Sequence, residues 1–274
     1  MTTVASIAGV EVSPLHFIGG ERVGSAATFE DVSPIDETVL AEIARGGPDE
    51  ASAAVDAARA AFAAWAALGP EGRAEYLFRI ADLIEEREEM LAQVETLDNG
   101  SLLEASRLRL MKRAALNFRF FAQLALDLEQ REWDANGTHY RVRRDPSGVA
   151  VLIAPWNAPL MLESWKCGPA LAAGCTAILK PSEWSPLTAS LLADIADEAE
   201  LPPGVLNVVQ GIGEEAGAAL VAHPGIARIS FTGSVETAQL IGAAAARNLT
   251  PVSFELGGKS PFLVFADADL DRAV

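Results

Sequence analysis

From Val149 onward the chain carries five short apolar runs, "VAVLIAP", "CTAILKP", "VLNVVQG", "IARISFTG" and "PVSFEL", with helix-length segments at 187–199, 214–222 and 235–246 between them. A strand that is apolar on both faces must be covered on both faces, and successive parallel strands need crossovers long enough for a helix. The pattern predicts an α/β fold: a doubly wound, parallel, Rossmann-like sheet flanked by helices, with its ligand site beyond the carboxyl ends of the strands. The polar residues that interrupt the pattern fall at those ends. Trp156 and Asn157 follow the first strand, Lys180, Ser182 and Glu183 the second, Gly211 and Gly213 the third, and Gly233 and Ser234 the fourth, while Glu255 closes the fifth.

The first half reads differently. Residues 17–44 alternate and turn at "SPIDET", which predicts a short strand pair. Three helices follow. The first has Pro48 at its start and Asp49 and Glu50 in its first turn; the second runs from about Pro70 to the Asn99-Gly100 stop; the third runs from about Leu102 to Leu126. "NGTHYRVRRDPSG" is an alternating segment between two turn signals and reads as an exposed hairpin arm.

Composition narrows the function classes. The chain has 274 residues, half of them hydrophobic and 22% charged, a balance that supports a large buried core. Its formal charge of -17 argues against a nucleic-acid or anionic membrane partner, each of which needs clustered cations. No charged start with an apolar leader and no long apolar window is present, so a cytoplasmic location is expected. The two cysteines, Cys167 and Cys175, form neither a disulfide framework nor a CxxC pair, and no metal site is expected. Both read as small buried apolar residues.

Two glycine-bearing loops are candidates for nucleotide chemistry. "GIGEEAG" spaces its glycines as GxGxxxG and fails the usual dinucleotide fingerprint. "FTGSVETAQLIG" is the better anion site, because Gly233 and Ser234 stand where a strand passes into a helix with free amide groups; Ser234 is equally suited to be an ordinary N-cap. Lys180 and Glu183 read either as a solvated pair on a loop or, more sharply, as partners for ribose hydroxyls, where the carboxylate of Glu183 would repel a 2′-phosphate and favour NAD over NADP. Glu255, between an apolar strand and a glycine pair, is a carboxylate in search of a use.

"PWNAP", "KPSE", "FTGS" and "ELGGKSP", in this order and spacing, resemble the aldehyde dehydrogenase superfamily, and the resemblance covers the chain from "FIGGE" to "DADLD". It implies NAD(P)-dependent oxidation of an aldehyde to a carboxylic acid through a cysteine thiohemiacetal and thioester. By the same resemblance Asn157 donates to the oxyanion, Glu255 activates the hydrolytic water, Lys180 and Glu183 hold the adenosine ribose, Ser234 approaches the pyrophosphate, and Trp156 lies beside the cofactor. Ser182, Gly213 and Gly233 complete the expected cofactor loops. Two departures stand out: Ala238 replaces a common glycine, where a methyl would either crowd the pyrophosphate or merely stiffen the helix, and Glu214 puts a carboxylate near the adenine.

The implied organisation is residues 1–129 as the N-terminal strands and helices of the cofactor domain, 130–148 as an oligomerisation hairpin, 149–256 as the cofactor-binding sheet, and 257–274 as the first strand and helix of a catalytic domain. The family's nucleophilic cysteine lies further along than Val274, so this chain is expected to be the truncated N-terminal portion of an enzyme that forms a homodimer or homotetramer when complete. The alternative is a catalytically inactive nucleotide-binding module.

Overall fold

The computed structural model describes residues 4–128 and 131–273. Three antiparallel hairpins come first: β1 (Ala5–Ile7) with β2 (Val10–Val12), β3 (His16–Ile18) with β4 (Glu21–Val23), and β5 (Thr28–Val32) with β6 (Val39–Ala44). Helix α1 (Pro48–Ala67) begins as its sequence predicts, and the Gly47 amide donates to Glu50 Oε2 at 2.8 Å.

The second expected helix is two. α2 (Gly69–Glu86) and α3 (Glu88–Asn99) are separated at Arg87, whose φ of -111° leaves the helical region. A continuous helix would stack Glu85 and Glu86 one turn from Glu88 and Glu89, a like-charge arrangement that opposes it. The break also brings α3 against α7, and Gly100 ends it at φ 76°. The third expected helix is α4 (Leu103–Ala105), a π-helical turn at Ser106–Met111, and α5 (Lys112–Leu126).

The hairpin arm is β7 (Arg131–Ala135) with β8 (Thr138–Val142), joined by Asn136 and Gly137 at φ 51° and 75°. That pair of left-handed residues matches the twist of a two-residue hairpin. Trp133 and Tyr140 stack across it at 5.2 Å. Gln130, the expected first residue of the arm, and Glu129 lie outside the described residues, as do residues 1–3 and 274.

The main sheet contains β9 (Val149–Ile153), β10 (Thr176–Lys180), β11 (Leu206–Val208), β12 (Arg228–Gly233) and β13 (Val252–Leu256) in the order β13-β12-β9-β10-β11-β3-β4. Those five are parallel. β3 adds antiparallel to β11 and β4 to β3, so the sheet is mixed rather than wholly parallel. The added edge is pinned by polar contacts that hydrophobic patterning does not report: the Gly19 amide donates to Asn207 Oδ1 at 2.9 Å, and Arg22 donates to Ser190 Oγ and pairs with Asp194.

The crossovers are α6 (Pro159–Ala172), α7 (Leu187–Glu198), a π-helical turn at Gly213–Gly217 leading into α8 (Ala218–Ala222), and α9 (Val235–Ala246). Side chains alternate across each strand, so one face takes Leu152 and Leu179 and the other Val151 and Ile178. The first face packs with Leu77, Ile80, Phe118, Leu160 and Leu192; the second with Val55, Leu220 and Ile241. β9, β10 and β11 are buried almost throughout, whereas β13 is mostly exposed at the sheet edge. Cys167 and Cys175 are both buried free thiols, and burial pushes the Cys167 thiol above its ordinary range.

Residues 257–273 correct one expectation. No strand forms at Phe262–Phe265; that segment is exposed, and only α10 (Leu270–Ala273) is regular. A strand needs a hydrogen-bonding neighbour, and none of the described residues supplies one.

One buried group is conspicuous. Glu163 in α6 is fully buried, and neither carboxyl oxygen has a hydrogen-bond partner. Burial, and then the neighbouring Glu95, push its pKa well above the ordinary value of 4.5. The folded chain therefore prefers the protonated carboxyl. The resulting penalty is absent below the ordinary carboxyl range and grows as pH rises through it toward the folded-state value. Replacing Glu163→Met removes an unsatisfied polar group while keeping its length. We expect the variant to be stabilised by about 1–3 kcal/mol, more at pH 8 than at pH 5, in thermal or urea unfolding. Equal stability of the two chains at pH 8 would contradict this account.

Candidate functional site

Two clefts open at the carboxyl edge of the sheet and share Pro155, Thr232 and Gly233 as their common wall. The first, of about 420 Å³, lies between α8 and α9 and is lined by Trp156, Lys180, Ser182, Glu183, Gly213, Gly233 and Ser234 together with Glu214, Phe231 and Thr237. Every residue assigned to cofactor binding from the sequence borders it. The second, of about 680 Å³, lies on the α6 side and is lined by Asn157 and Glu255 together with Trp165, Lys166, Ser230 and Phe121. The two residues assigned to catalysis meet there.

Strand β9 explains the division. Its chain leaves the sheet at Ala154, and the next residues send Trp156 to the first cleft and Asn157 to the second. Trp156 is largely exposed, and its carbonyl is held by Ser185 Oγ at 3.3 Å and by Asn99 Nδ2 at 3.4 Å.

In the first cleft Lys180 is 2% exposed and donates to Glu183 Oε2 at 2.9 Å. Burial drives the Lys180 ammonium down from its ordinary pKa, against the pull of Glu183. Burial also opposes the charge on Glu183, but Lys180 and two backbone hydrogen bonds outweigh it and hold that carboxyl below its ordinary value. The result is an ordered ion pair at the rim of a cleft. The Ser182 hydroxyl accepts from the Trp184 amide at 3.2 Å and closes a tight turn.

At the β12–α9 junction Ser234 is the helix N-cap. Its Oγ accepts from the Thr237 amide at 3.1 Å, and the first turn of α9 presents its amides to the cleft. A methyl on Gly233 would lie 2.4 Å from the Phe231 ring, so that glycine is required by packing as well as by the cleft. Ala238 does not crowd the cleft. It is 5% exposed in the core beneath α9, which removes the expected conflict with a pyrophosphate. Glu214 does line the cleft, as the sequence suggested.

A bound dinucleotide fits this donor set. The lining of the first cleft combines apolar surface from Val221, Phe231 and Ile241, a helix N-terminus at Ser234 and the Lys180–Glu183 pair, groups suited to a base, an anion and hydroxyls. Among the described residues no cluster of His, Cys, Asp or Glu has the arrangement of a metal site, and no helix is long and apolar enough to cross a membrane.

Sequence reasoning missed Lys166. It is 7% exposed, donates to Ser230 Oγ at 3.0 Å and lines the same cleft as Glu255. Burial pushes its pKa down to about 8, offset by Cys167 and then by Glu255, so it remains a cation at neutral pH. The available signal was one lysine inside the otherwise uncharged run "SWKCGPALA".

Comparison with known proteins agrees with this geometry. Residues 22–274 match the aldehyde dehydrogenase family. The chain is 46% identical over 269 residues to 2-hydroxymuconic semialdehyde dehydrogenase of Pseudomonas sp. (strain CF600), covering 94% of this chain and 55% of that protein. The crystal structure of HpcC from Thermus thermophilus superimposes with a TM-score of 0.91 at 50% identity, over 95% of this chain and 51% of that one. Betaine aldehyde dehydrogenase from Staphylococcus aureus, solved in complex with NAD+, gives a TM-score of 0.92 at 38% identity, over 96% of this chain and 53% of that one. The chain thus spans about half the length of the relatives it matches, and by family match, identity and superposition it belongs to the aldehyde dehydrogenase family.

Proposed function

We propose that this chain is the cofactor-binding half of an NAD-dependent enzyme that oxidises an aldehyde to a carboxylic acid. The observation that carries the reading is the convergence of Asn157 and Glu255 on one cleft that shares a wall with the cleft bordered by Lys180, Glu183 and Ser234. NAD, when bound, supplies the hydride acceptor. The chain's own residues do the rest. The Asn157 amide donates to the oxygen of the aldehyde as negative charge develops there, Glu255 takes a proton from the water that releases the acid, and Lys166 keeps a fixed positive charge beside them. Trp156 and Phe231 border the cofactor cleft with aromatic surface, and the α9 amides with Ser234 face the pyrophosphate.

In this reading the nucleophile is a cysteine outside the 274 residues. Cys167 is unsuited to the task, because it is fully buried and burial disfavours its thiolate. Residues 1–129 and 149–256 form the cofactor domain, 130–148 the arm that pairs with another subunit, and 257–274 the approach to the catalytic domain. Exposed aromatic residues on an otherwise unpaired two-stranded arm suit such pairing. Two buried free thiols are in keeping with a cytoplasmic setting.

A semialdehyde, the class named for the Pseudomonas relative, is the substrate class this reading takes first.

Two measurements test the reading. Titration of the chain with each dinucleotide should show tighter binding of NAD than of NADP, with Glu183→Gln narrowing the gap; equal affinities in the unaltered chain would remove the role given to Glu183. In NADH-formation assays with several semialdehydes, the 274-residue chain alone should be inert. A longer protein that includes a downstream cysteine should turn over, losing about 10²- to 10³-fold in rate with Asn157→Ala and about 10²- to 10⁴-fold with Glu255→Gln. Turnover by the short chain that vanishes in a Cys167→Ala, Cys175→Ala variant would overturn the placement of the nucleophile. A longer protein that binds NAD yet oxidises nothing would favour the nucleotide-binding module.

A further inference from the structure

Helices α6 and α7 begin immediately after the loops that carry Asn157 and the Lys180–Glu183 pair, and neither has a capping side chain of its own. The N-cap of α6 is Ala158 and that of α7 is Pro186. Their first amides are satisfied from a distance. Glu95 Oε2 accepts from the Leu160 amide at 3.1 Å, and Asp98 Oδ2 accepts from the Leu187 amide at 3.0 Å. Glu95 and Asp98 sit three residues apart on α3, one above the other on the same face. The adjacent Asn99 donates to the Trp156 carbonyl, which also accepts from Ser185 at the start of the α7 loop. One turn of α3 therefore bonds both loops, and the two loops bond each other.

Carboxyl groups this deeply buried are costly unless they are used. Glu95 and Asp98 are both 0% exposed, and each uses one oxygen as a remote helix cap. We propose that Glu95, Asp98 and Asn99 are positioning residues that lock the Asn157 loop and the ribose-side loop into a single unit, so that loosening one loosens the other. The clamp couples the groups beside the aldehyde to the groups beside the cofactor without touching either ligand. Its coupling claim stands on the hydrogen bonds alone, and only its affinity consequence rests on the reading of these loops as the NAD site.

Amide hydrogen exchange of the chain, with NAD titration alongside, tests the clamp. Glu95→Leu removes the cap on Leu160 and should speed exchange not only at 158–162 but also at 185–189, and weaken NAD on the order of fivefold, the effect of one lost hydrogen bond. Glu95→Gln keeps a carbonyl oxygen in place and should restore both. Faster exchange confined to 158–162, or a Gln variant no better than Leu, overturns the proposal. If the Leu variant fails to fold, Asn99→Ala carries the same two readouts, since Asn99 lies nearer the surface. Coupled exchange with unchanged NAD affinity would uphold the clamp and contradict the cofactor reading instead.

Discussion

Five parallel strands deliver their carboxyl ends to one edge of the sheet, and three of the helices that follow, α6, α7 and α9, start with amide groups that no helical carbonyl can reach. How those orphan donors are satisfied decides what each loop is free to do. α9 uses its own Ser234 and leaves further first-turn amides facing the cleft, where an anion suits them. α6 and α7 borrow carboxyl groups from α3, which frees their loops to place Asn157 and Glu183 at the clefts rather than spend side chains on capping.

The same arrangement accounts for the unusual charge distribution inside the fold. Asp31, Glu95, Asp98 and Glu163 are all buried, with Asp31 and Glu95 pushed up to about 7 chiefly by burial and Asp98 and Glu163 likewise raised well above their ordinary values. Cations are not placed among them. Lys166 and Lys180, the two buried lysines among the described residues, lie instead at the clefts, one near Glu255 and one paired with Glu183. Glu95 and Asp98 thus brace the loops from behind while Lys166 and Lys180 line the clefts.

Much of this was legible in the sequence because strand ends and turns leave local marks. The apolar runs predicted β9 to β13, Asn136-Gly137 predicted its hairpin, and the polar residues after each run predicted which loops gather at one edge. What escaped depends on distance. β3 and β4 join the sheet through a single residue pair with β11 and through Arg22 and Asn207, partners far apart in the chain. Glu95 and Asp98 look like surface positions of a charged helix until α3 turns at Arg87 and brings them under two loops 65 and 89 residues away. Lys166 reads as an ordinary helix residue, since its significance comes from Ser230 and Glu255 on two other strands. Phe262–Phe265 has the composition of a strand but lacks the neighbour that would make it one.

Trp156 and Asn157 are adjacent in sequence yet face separate clefts. β9 ends at Ile153 and the chain bends at 156–158, so the cleft each side chain enters depends on its count from Ile153. One inserted or deleted residue between Ile153 and Pro159 would send an indole where an amide belongs, and would also pull Leu160 out of reach of Glu95. The length of this short connection is therefore constrained along with the identity of Asn157, whereas the hairpin turn at Asn136-Gly137 has open space around Gly137.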